Sequence, residues 1–354
     1  MDISIIVPTM NRPGLLLRLV EYFNVLNFKG KILIGDSSDK EVYSETKSAL
    51  ENYLNKLDIC HIHLPNRSVA AAVLDMNEYL TTSYACLIPD DDFLVPQTIK
   101  NCIEFLDEHD DYVAAHGVGV LIACSSGDSG NIESVGYYSQ TVSEDSKSSI
   151  RLCEHLKNYS VTLFSVHRTE VWRKMFIDTP VPEKNTLSCD SSFRDELLPC
   201  CLSVAYGKVK QINGLYLVRQ VHKERYLLPG WYQWITDEKW FPSFLWFRNK
   251  ITTVISEVDN ISMKDAQVTF DMGFEMYLQK TFEPSVPESL LWRIRNIIKR
   301  GIPLAGLAML RRFRSKLLTE KISLESLMDD SSPYNMDFIP IYNIVTAKKN
   351  DTST

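Results

Sequence analysis

Three consecutive aspartates, Asp90, Asp91 and Asp92, follow the apolar run Tyr84-Ala-Cys-Leu-Ile88 and Pro89, and precede Phe93-Leu-Val95. An apolar run of this length reads as a strand buried on both faces, so the carboxylates stand where a buried strand ends. Adjacent carboxylates repel one another, and the flanking apolar residues deny them full hydration. A hard divalent cation relieves both difficulties. Mn²⁺ or Mg²⁺ binds through one or two carboxylates and completes its shell with substrate phosphate. The competing reading is a hydrated acidic turn with Asp as a helix N-cap.

The preceding residues place this triplet in a sheet. Ile3 to Val7 is a β-branched run closed by Pro8-Thr9, and Lys31 to Gly35 and Ile59 to Leu64 are two more strand-like runs. Leu15 to Leu26, Val42 to Leu57 and Asn66 to Leu80 carry apolar residues at helical spacing. Four strands alternating with three helices predict an α/β doubly wound, mostly parallel sheet. Ligands of such sheets bind beyond the carboxyl ends of the strands. Those ends carry Thr9-Met-Asn-Arg12, Asp36-Ser-Ser-Asp39 and Asp90-Asp-Asp92, which therefore face one crevice. The first turn, Pro8 to Gly14, lacks the glycines of a dinucleotide or P-loop site, which argues against a dinucleotide cofactor or an ATPase.

Composition narrows the class. A net charge of −7 argues against general nucleic-acid binding. The eight cysteines include no C-x-x-C pair and read as reduced core residues of a cytoplasmic protein. The start, Met-Asp-Ile-Ser-Ile-Ile-Val-Pro, enters a strand without the basic residues of a signal peptide, and no apolar run of about 18 residues occurs.

A strand ending in Pro-Thr-x-Asn-Arg-Pro, a second ending in Gly-Asp-Ser-Ser-Asp and a third ending in Asp-Asp-Asp-Phe-x-x-Pro together resemble the nucleotide-sugar half of family-two-like glycosyltransferases of the GT-A fold, over roughly residues 1 to 225. The resemblance implies transfer of a sugar from a nucleotide diphosphate donor, foremost a UDP-sugar, to a hydroxyl of a saccharide or lipid-linked acceptor. It implies that Pro8, Thr9, Asn11, Arg12, Asp36 and Ser38 line the base and ribose pocket. Asp90, Asp91 and Asp92 stand for the D-x-D element, with Asp92 as the foremost direct ligand of Mn²⁺ or Mg²⁺ and Asp90 beside it. The family pattern Asp-x-Asp-Asp has its first position on Pro89 here, which leaves the ribose contact between Asp90 and Asp91. Counting back from Gly207, Glu196 falls on the general-base position of the acceptor-side helix and Asp195 on its partner, with Asp190 in reserve. The late loop resembles the one that caps metal and diphosphate, which would make His222 a third metal ligand and Arg219 or Arg225 a phosphate partner; an ordinary surface loop is the alternative. A carboxylate base on the face opposite the leaving diphosphate is what inversion requires. The alternative for the Asp195-Glu196 pair is electrostatic support of a helix N-terminus.

Elsewhere, Asn101 to His109 predicts a helix, Tyr112 to Cys124 a strand, and Tyr159 to Arg168 a buried strand holding His167. Residues 125 to 149, rich in Ser and Gly, predict a surface loop over the acceptor side. Residues 226 to 354 read as a mainly helical C-terminal region, beginning with an aromatic-rich segment (Trp231, Trp234, Trp240, Trp246) and containing a basic stretch, Ser289 to Thr319. That stretch has eight basic and no acidic residues, leaving −15 for the remainder. Two basic amphipathic helices lying on an anionic membrane at the cytoplasmic face, or packing on the acidic catalytic domain, both account for it. A nucleotidyltransferase making a nucleotide sugar and a catalytically silent carbohydrate-binding module are the competing functions.

Overall fold

The computed structural model describes residues 1–176, 196–221, 231–282 and 322–347. Within them, nine strands form one sheet: β1 (Ile3–Thr9), β2 (Lys31–Asp36), β3 (Asp58–His63), β4 (Tyr84–Leu87), β5 (Phe93–Leu94), β6 (Tyr112–Cys124), β7 (Ile132–Tyr138), β8 (Val166–Arg168) and β9 (Lys208–Val221). The order is β3-β2-β1-β4-β8-β6-β9-β5, with β7 outside on β6. The first four strands are mutually parallel. They are joined through α1 (Pro13–Val25), α2 (Lys40–Leu50) and α3 (Val69–Met76), which is the doubly wound unit expected from the alternation of periods. Antiparallel β8 then links β4 to β6, and β9 lies parallel to β6 but antiparallel to short β5.

Local sequence sets the element ends near the crevice. Pro13 opens α1 and Pro96 opens α4 (Pro96–Glu108), where a missing N–H costs nothing. The second helix therefore starts earlier than the apolar period from Asn101 suggests. Between β1 and α1 the chain reverses at Asn11, whose φ of 54° is a left-handed conformation that Asn tolerates. Ser68 caps α3 by accepting the N–H of Ala71.

Two expectations are corrected. Residues 125–149 are not all loop: β7 pairs antiparallel with β6 across Gly119 to Cys124. Its single ladder and half-exposed face leave few apolar positions to signal it. Conversely, the strand expected from Tyr159 shrinks to Val166–Arg168. The carbonyls of Leu163 and Phe164 are taken by the Leu87 amide and the Tyr216 hydroxyl instead of a ladder.

The remaining helices pack against this sheet and one another: α5 (Ser148–Lys157), α6 (Thr169–Phe176), α7 (Leu198–Tyr206), α8 (Trp231–Thr236), α9 (Phe241–Asp259), α10 (Met263–Phe282), α11 (Leu324–Met328) and α12 (Asn335–Thr346). Trp234 and Phe247 carry the aromatic-rich segment into the core. Trp234 is buried with its ring 5.4 Å from Phe244 and 5.3 Å from Phe247, and Phe247 meets Phe270 at 5.6 Å. Two polar fastenings tie α5 to its neighbours α9 and α7. Asp259, ending α9, accepts the amides of Ser148 and Ser149 at the start of α5. Buried Arg151 donates to the carbonyls of Val204 and Ala205 near the C-terminus of α7, and to those of Asp145 and Ser146. At the other end of the molecule, α12 lies on α1, and the carbonyl of its Val345 accepts the amide of Gly130. No helix among the described residues is long and apolar enough to cross a membrane. The basic stretch Ser289 to Thr319 lies outside the described residues.

Arg151 carries charge into the interior and satisfies four carbonyls, so Arg151→Met strands those acceptors. The expected loss is about 3 kcal/mol in urea denaturation; a change below about 0.5 kcal/mol would show that the fastening contributes nothing.

Candidate active site

The ends of β1, β2 and β4 meet as their order requires. Ser38 Oγ accepts the Asn11 amide at 2.7 Å, and Asn11 Oδ1 accepts the Asp39 amide at 3.2 Å. Thr9 Oγ1 donates to Asp90 Oδ2 at 2.6 Å. Arg12 Nη2 stands 2.7 Å from Asp90 Oδ1 and 2.6 Å from Asp91 Oδ2, with its side chain 43% exposed. Asp36 is buried, and its Oδ1 accepts the Ser38 amide at 2.9 Å. Pro8 is opposite Gly35 in the ladder between β1 and β2. The structure thus gathers Pro8, Thr9, Asn11, Arg12, Asp36, Ser38, Asp90 and Asp91 along one crest.

Asp92 faces the other way. It is 1% exposed, with Oδ2 at 2.7 Å from Arg219 Nε and Oδ1 accepting the Gln220 amide at 2.8 Å. Arg219 is itself caged: its guanidinium lies 5.0 Å from the ring centre of Tyr138 and 4.6 Å from that of Phe164, and Nη1 donates to the Tyr138 hydroxyl at 3.2 Å. Such a stack suits the planar, weakly hydrated guanidinium. Behind the run, Arg18 donates to the Asp91 carbonyl at 3.0 Å and to that of Asp128, while Gln220 Nε2 donates to Gly127. The turn around Gly127 and Asp128 therefore holds the acidic loop from outside.

Burial pushes Asp90 up to about 6, against the pull of Arg12 and the Thr9 hydroxyl. Burial likewise pushes Asp92 up to about 6, against Arg219. Arg219 stays charged because Asp92 and Tyr138 outweigh the effect of its own burial. Asp36 goes the opposite way: burial would raise it, but hydrogen bonds from His61 and Ser38 hold it below the ordinary carboxylate range.

Glu196 Oε1 accepts the Tyr159 hydroxyl at 2.9 Å. Burial raises the Glu196 carboxyl; Tyr159 and the charge of Arg219 pull it down. Asp190, Asp195 and His222 lie outside the described residues. His167 is a satisfied core residue, its ring nitrogens on the Ser165 carbonyl at 2.8 Å and the Ser203 hydroxyl at 3.0 Å.

The cation that the triplet needs is supplied in large part by the protein's own Arg12 and Arg219, a neutralisation that the sequence argument assigned to a metal. Among the described residues no three His, Cys, Asp or Glu side chains converge to cage an ion. Asp92 has both oxygens engaged within the fold. Asp90 and Asp91, sharing one half-exposed guanidinium, fit an ion that draws most of its ligands from a diphosphate. The residues that sequence reasoning passed over are Arg18, Tyr138, Tyr159 and His61; of these only His61, alternating with His63 on β3, left a readable pattern.

Residues 4–165 match the model of the family described as glycosyl transferase family 2. No curated protein matches the sequence. In structure the chain is similar to S. aureus TarS 1-349 in complex with UDP-GlcNAc, with a TM-score of 0.52 and 15% identity, covering 87% of this chain and 78% of that one. Against S. aureus TarS 1-349 in complex with UDP the TM-score is 0.51 at 16% identity, over 88% and 78% of the two chains. At such identities the likeness establishes the fold, a mostly parallel GT-A sheet with a helical C-terminal region.

A raised carboxyl disfavours its charged form in the fold, so its stabilising contribution is full below the unfolded value near 4 and is lost as pH rises through about 6. With a chelator present, the stability of the wild type relative to Asp90→Asn is expected to grow by on the order of 2 kcal/mol between pH 7 and pH 4. Urea titrations at the two pH values check it, and an unchanged difference would contradict the assigned burial effect.

Proposed function

We propose that this chain, whose residues 4–165 match the family-two glycosyltransferase model and whose fold is of the GT-A type, moves a sugar from a nucleoside diphosphate, a UDP-sugar, to an acceptor hydroxyl with inversion. The observation that carries the reading is the hydrogen-bonded crest of Thr9, Arg12, Asp90 and Asp91, beside Asp36, with Arg219 gripping Asp92 and acting by its charge on Glu196. The UDP-GlcNAc and UDP complexes of S. aureus TarS support uridine as the donor base.

Asp36, Ser38 and Asn11 bind and orient the base and ribose, and Arg12 stands at the diphosphate end. Asp90 and Asp91 would hold Mn²⁺ or Mg²⁺, whose chemistry when bound is to offset charge on the departing diphosphate. Asp92 is assigned a positioning role instead, because its oxygens fix Arg219. Glu196 is the base: Tyr159 occupies Oε1, which leaves Oε2 to take the acceptor's proton as the hydroxyl attacks, and burial makes it a stronger base than an exposed carboxylate. No covalent intermediate is required. Asp195 and Asp190 remain the alternative bases. The basic stretch 289–319 supports a saccharide or lipid-linked acceptor presented at an anionic membrane on the cytoplasmic side, in polysaccharide or glycolipid synthesis. Residues 1–225 would form the catalytic domain and 226–354 its helical appendage.

One observation favours a second reading, a silent carbohydrate-binding module: Arg12 and Arg219 already neutralise the acidic run. Two measurements separate the readings. UDP with Mn²⁺, each about a hundredfold above its dissociation constant, should raise the melting temperature by roughly 5 °C, and Asp91→Asn should remove the part contributed by Mn²⁺. A shift by UDP that is indifferent to Mn²⁺ would exclude the ion. In addition, Glu196→Gln should lower UDP-sugar turnover by about 10²–10⁴ while leaving UDP affinity within about twofold. Unimpaired turnover in that variant would transfer the base elsewhere, and no turnover by the wild type across a panel of UDP-sugars would favour the module.

A further inference from the structure

Arg18 is the only basic residue of α1, and it belongs to none of the motifs at the strand ends. It stands between the buried Leu16 and Leu19, with its guanidinium 5.1 Å from the ring centre of Phe93. Both terminal nitrogens donate to main-chain carbonyls, Nη2 to that of Asp91 at 3.0 Å and Nη1 to that of Asp128. The third nitrogen, Nε, is buried with no hydrogen-bond partner among the described residues. A guanidinium drawn out of water against two neutral carbonyls is costly, and an uncharged donor would close the same contacts for less. The charges of Asp91, Asp128 and Asp90 offset part of that cost.

The bridge is one of two ties between the acidic loop and a single turn. Asp92 Oδ1 accepts the Gln220 amide at 2.8 Å, and the Gln220 carboxamide donates to the Gly127 carbonyl. Arg18 makes the second tie, from Asp91 to the neighbouring Asp128. The turn is itself held in shape: Gly127, at a φ of 76°, sends its amide to the Cys124 carbonyl at 3.2 Å, and the Asp128 amide reaches the Ser126 carbonyl at 3.0 Å. Asp91 is thus fixed through its main chain from behind, while its Oδ2 meets Arg12 Nη2 at 2.6 Å in front. A carboxylate oriented in this way pays less in ordering when a cation arrives. The shape of the holding group matters as much as its charge, because a planar fork spans two carbonyls and an ammonium is a single point.

We infer that Arg18 is a positioning residue for the cation of the donor site: by bridging the carbonyls of Asp91 and Asp128 it sets the direction in which the Asp91 carboxylate meets an ion carried by a diphosphate. The inference rests on the nucleotide-sugar reading above, and it adds a residue that acts through Asp91 alone.

Calorimetric titration of the full chain with UDP, once in chelator and once in Mn²⁺, tests it; the quantity read is the factor by which Mn²⁺ tightens UDP binding. Arg18→Lys keeps the charge and the apolar stem but loses the fork, and should cut that factor about tenfold while leaving UDP affinity in chelator within about twofold. Arg18→Met, without the charge, should lose at least as much. Gln220→Leu removes the other hold on the turn and serves if the Met variant fails to fold; it should lower the factor in the same direction. A purely structural role predicts a lower urea midpoint with the Mn²⁺ factor unchanged, or equal losses with and without the ion, and either result would overturn the inference. So would a lysine variant that matches the wild type, since charge alone would then suffice. A wild type whose UDP binding is indifferent to Mn²⁺ would overturn the metal reading itself, whereas a wild-type gain left intact in all the variants would overturn this inference only.

Discussion

The site depends on one buried ion pair. Asp92 is withdrawn from water, and an isolated carboxylate there would be held only at a cost of several kcal/mol. Arg219 meets it from β9, the Gln220 amide completes it, and Tyr138 and Phe164 sandwich the guanidinium. Because Arg219 is on β9 and Asp92 follows β4, the pair clasps two parts of the sheet that are far apart in sequence. Turned inward, Asp92 leaves Asp90 and Asp91 to face Arg12 at the crest. The same clasp sets Arg219 where its charge reaches Glu196, so Asp92 and Glu196 share one cation.

Much of this architecture is legible in the sequence because burial on both faces leaves a strong mark. Runs such as Ile3 to Val7 and Lys31 to Gly35 have no polar face to blur them, and they are strands. Crest residues stand at the ends of such runs, where an abrupt change from apolar to polar is easy to see, and the fold then brings 9–12, 36–39 and 90–91 together. Weaker marks were less informative. β7 is half exposed and pairs along one edge, so Ile132 to Tyr138 shows little period. Residues 159–165 look like a strand but satisfy their carbonyls through Tyr216 and the end of β4. The direction of Asp92 could not be read at all, since nothing local distinguishes it from its neighbours; the difference lies in Arg219, over a hundred residues later.

The two histidines of β3 illustrate a different limit. Alternation along His61-Ile62-His63 announces a strand, and not what its faces meet. Tyr43, which covers both rings, comes from a helix whose period predicts only that some residue at that place faces inward. Polar pairs of this kind are fixed by tertiary placement, and single-sequence patterns record the strand while omitting the partner.

The turn at Gly127 to Gly130 receives the Gln220 carboxamide and Arg18 on one side, and the carbonyl of Val345 in α12 on the other. One wall of the crevice is thus buttressed by a helix encoded more than two hundred residues after the turn. A chain lacking α12 can have its parallel strands paired while this wall still lacks its last support. Completion of this wall is in that sense tied to the docking of α12 and not to the pairing of the sheet alone.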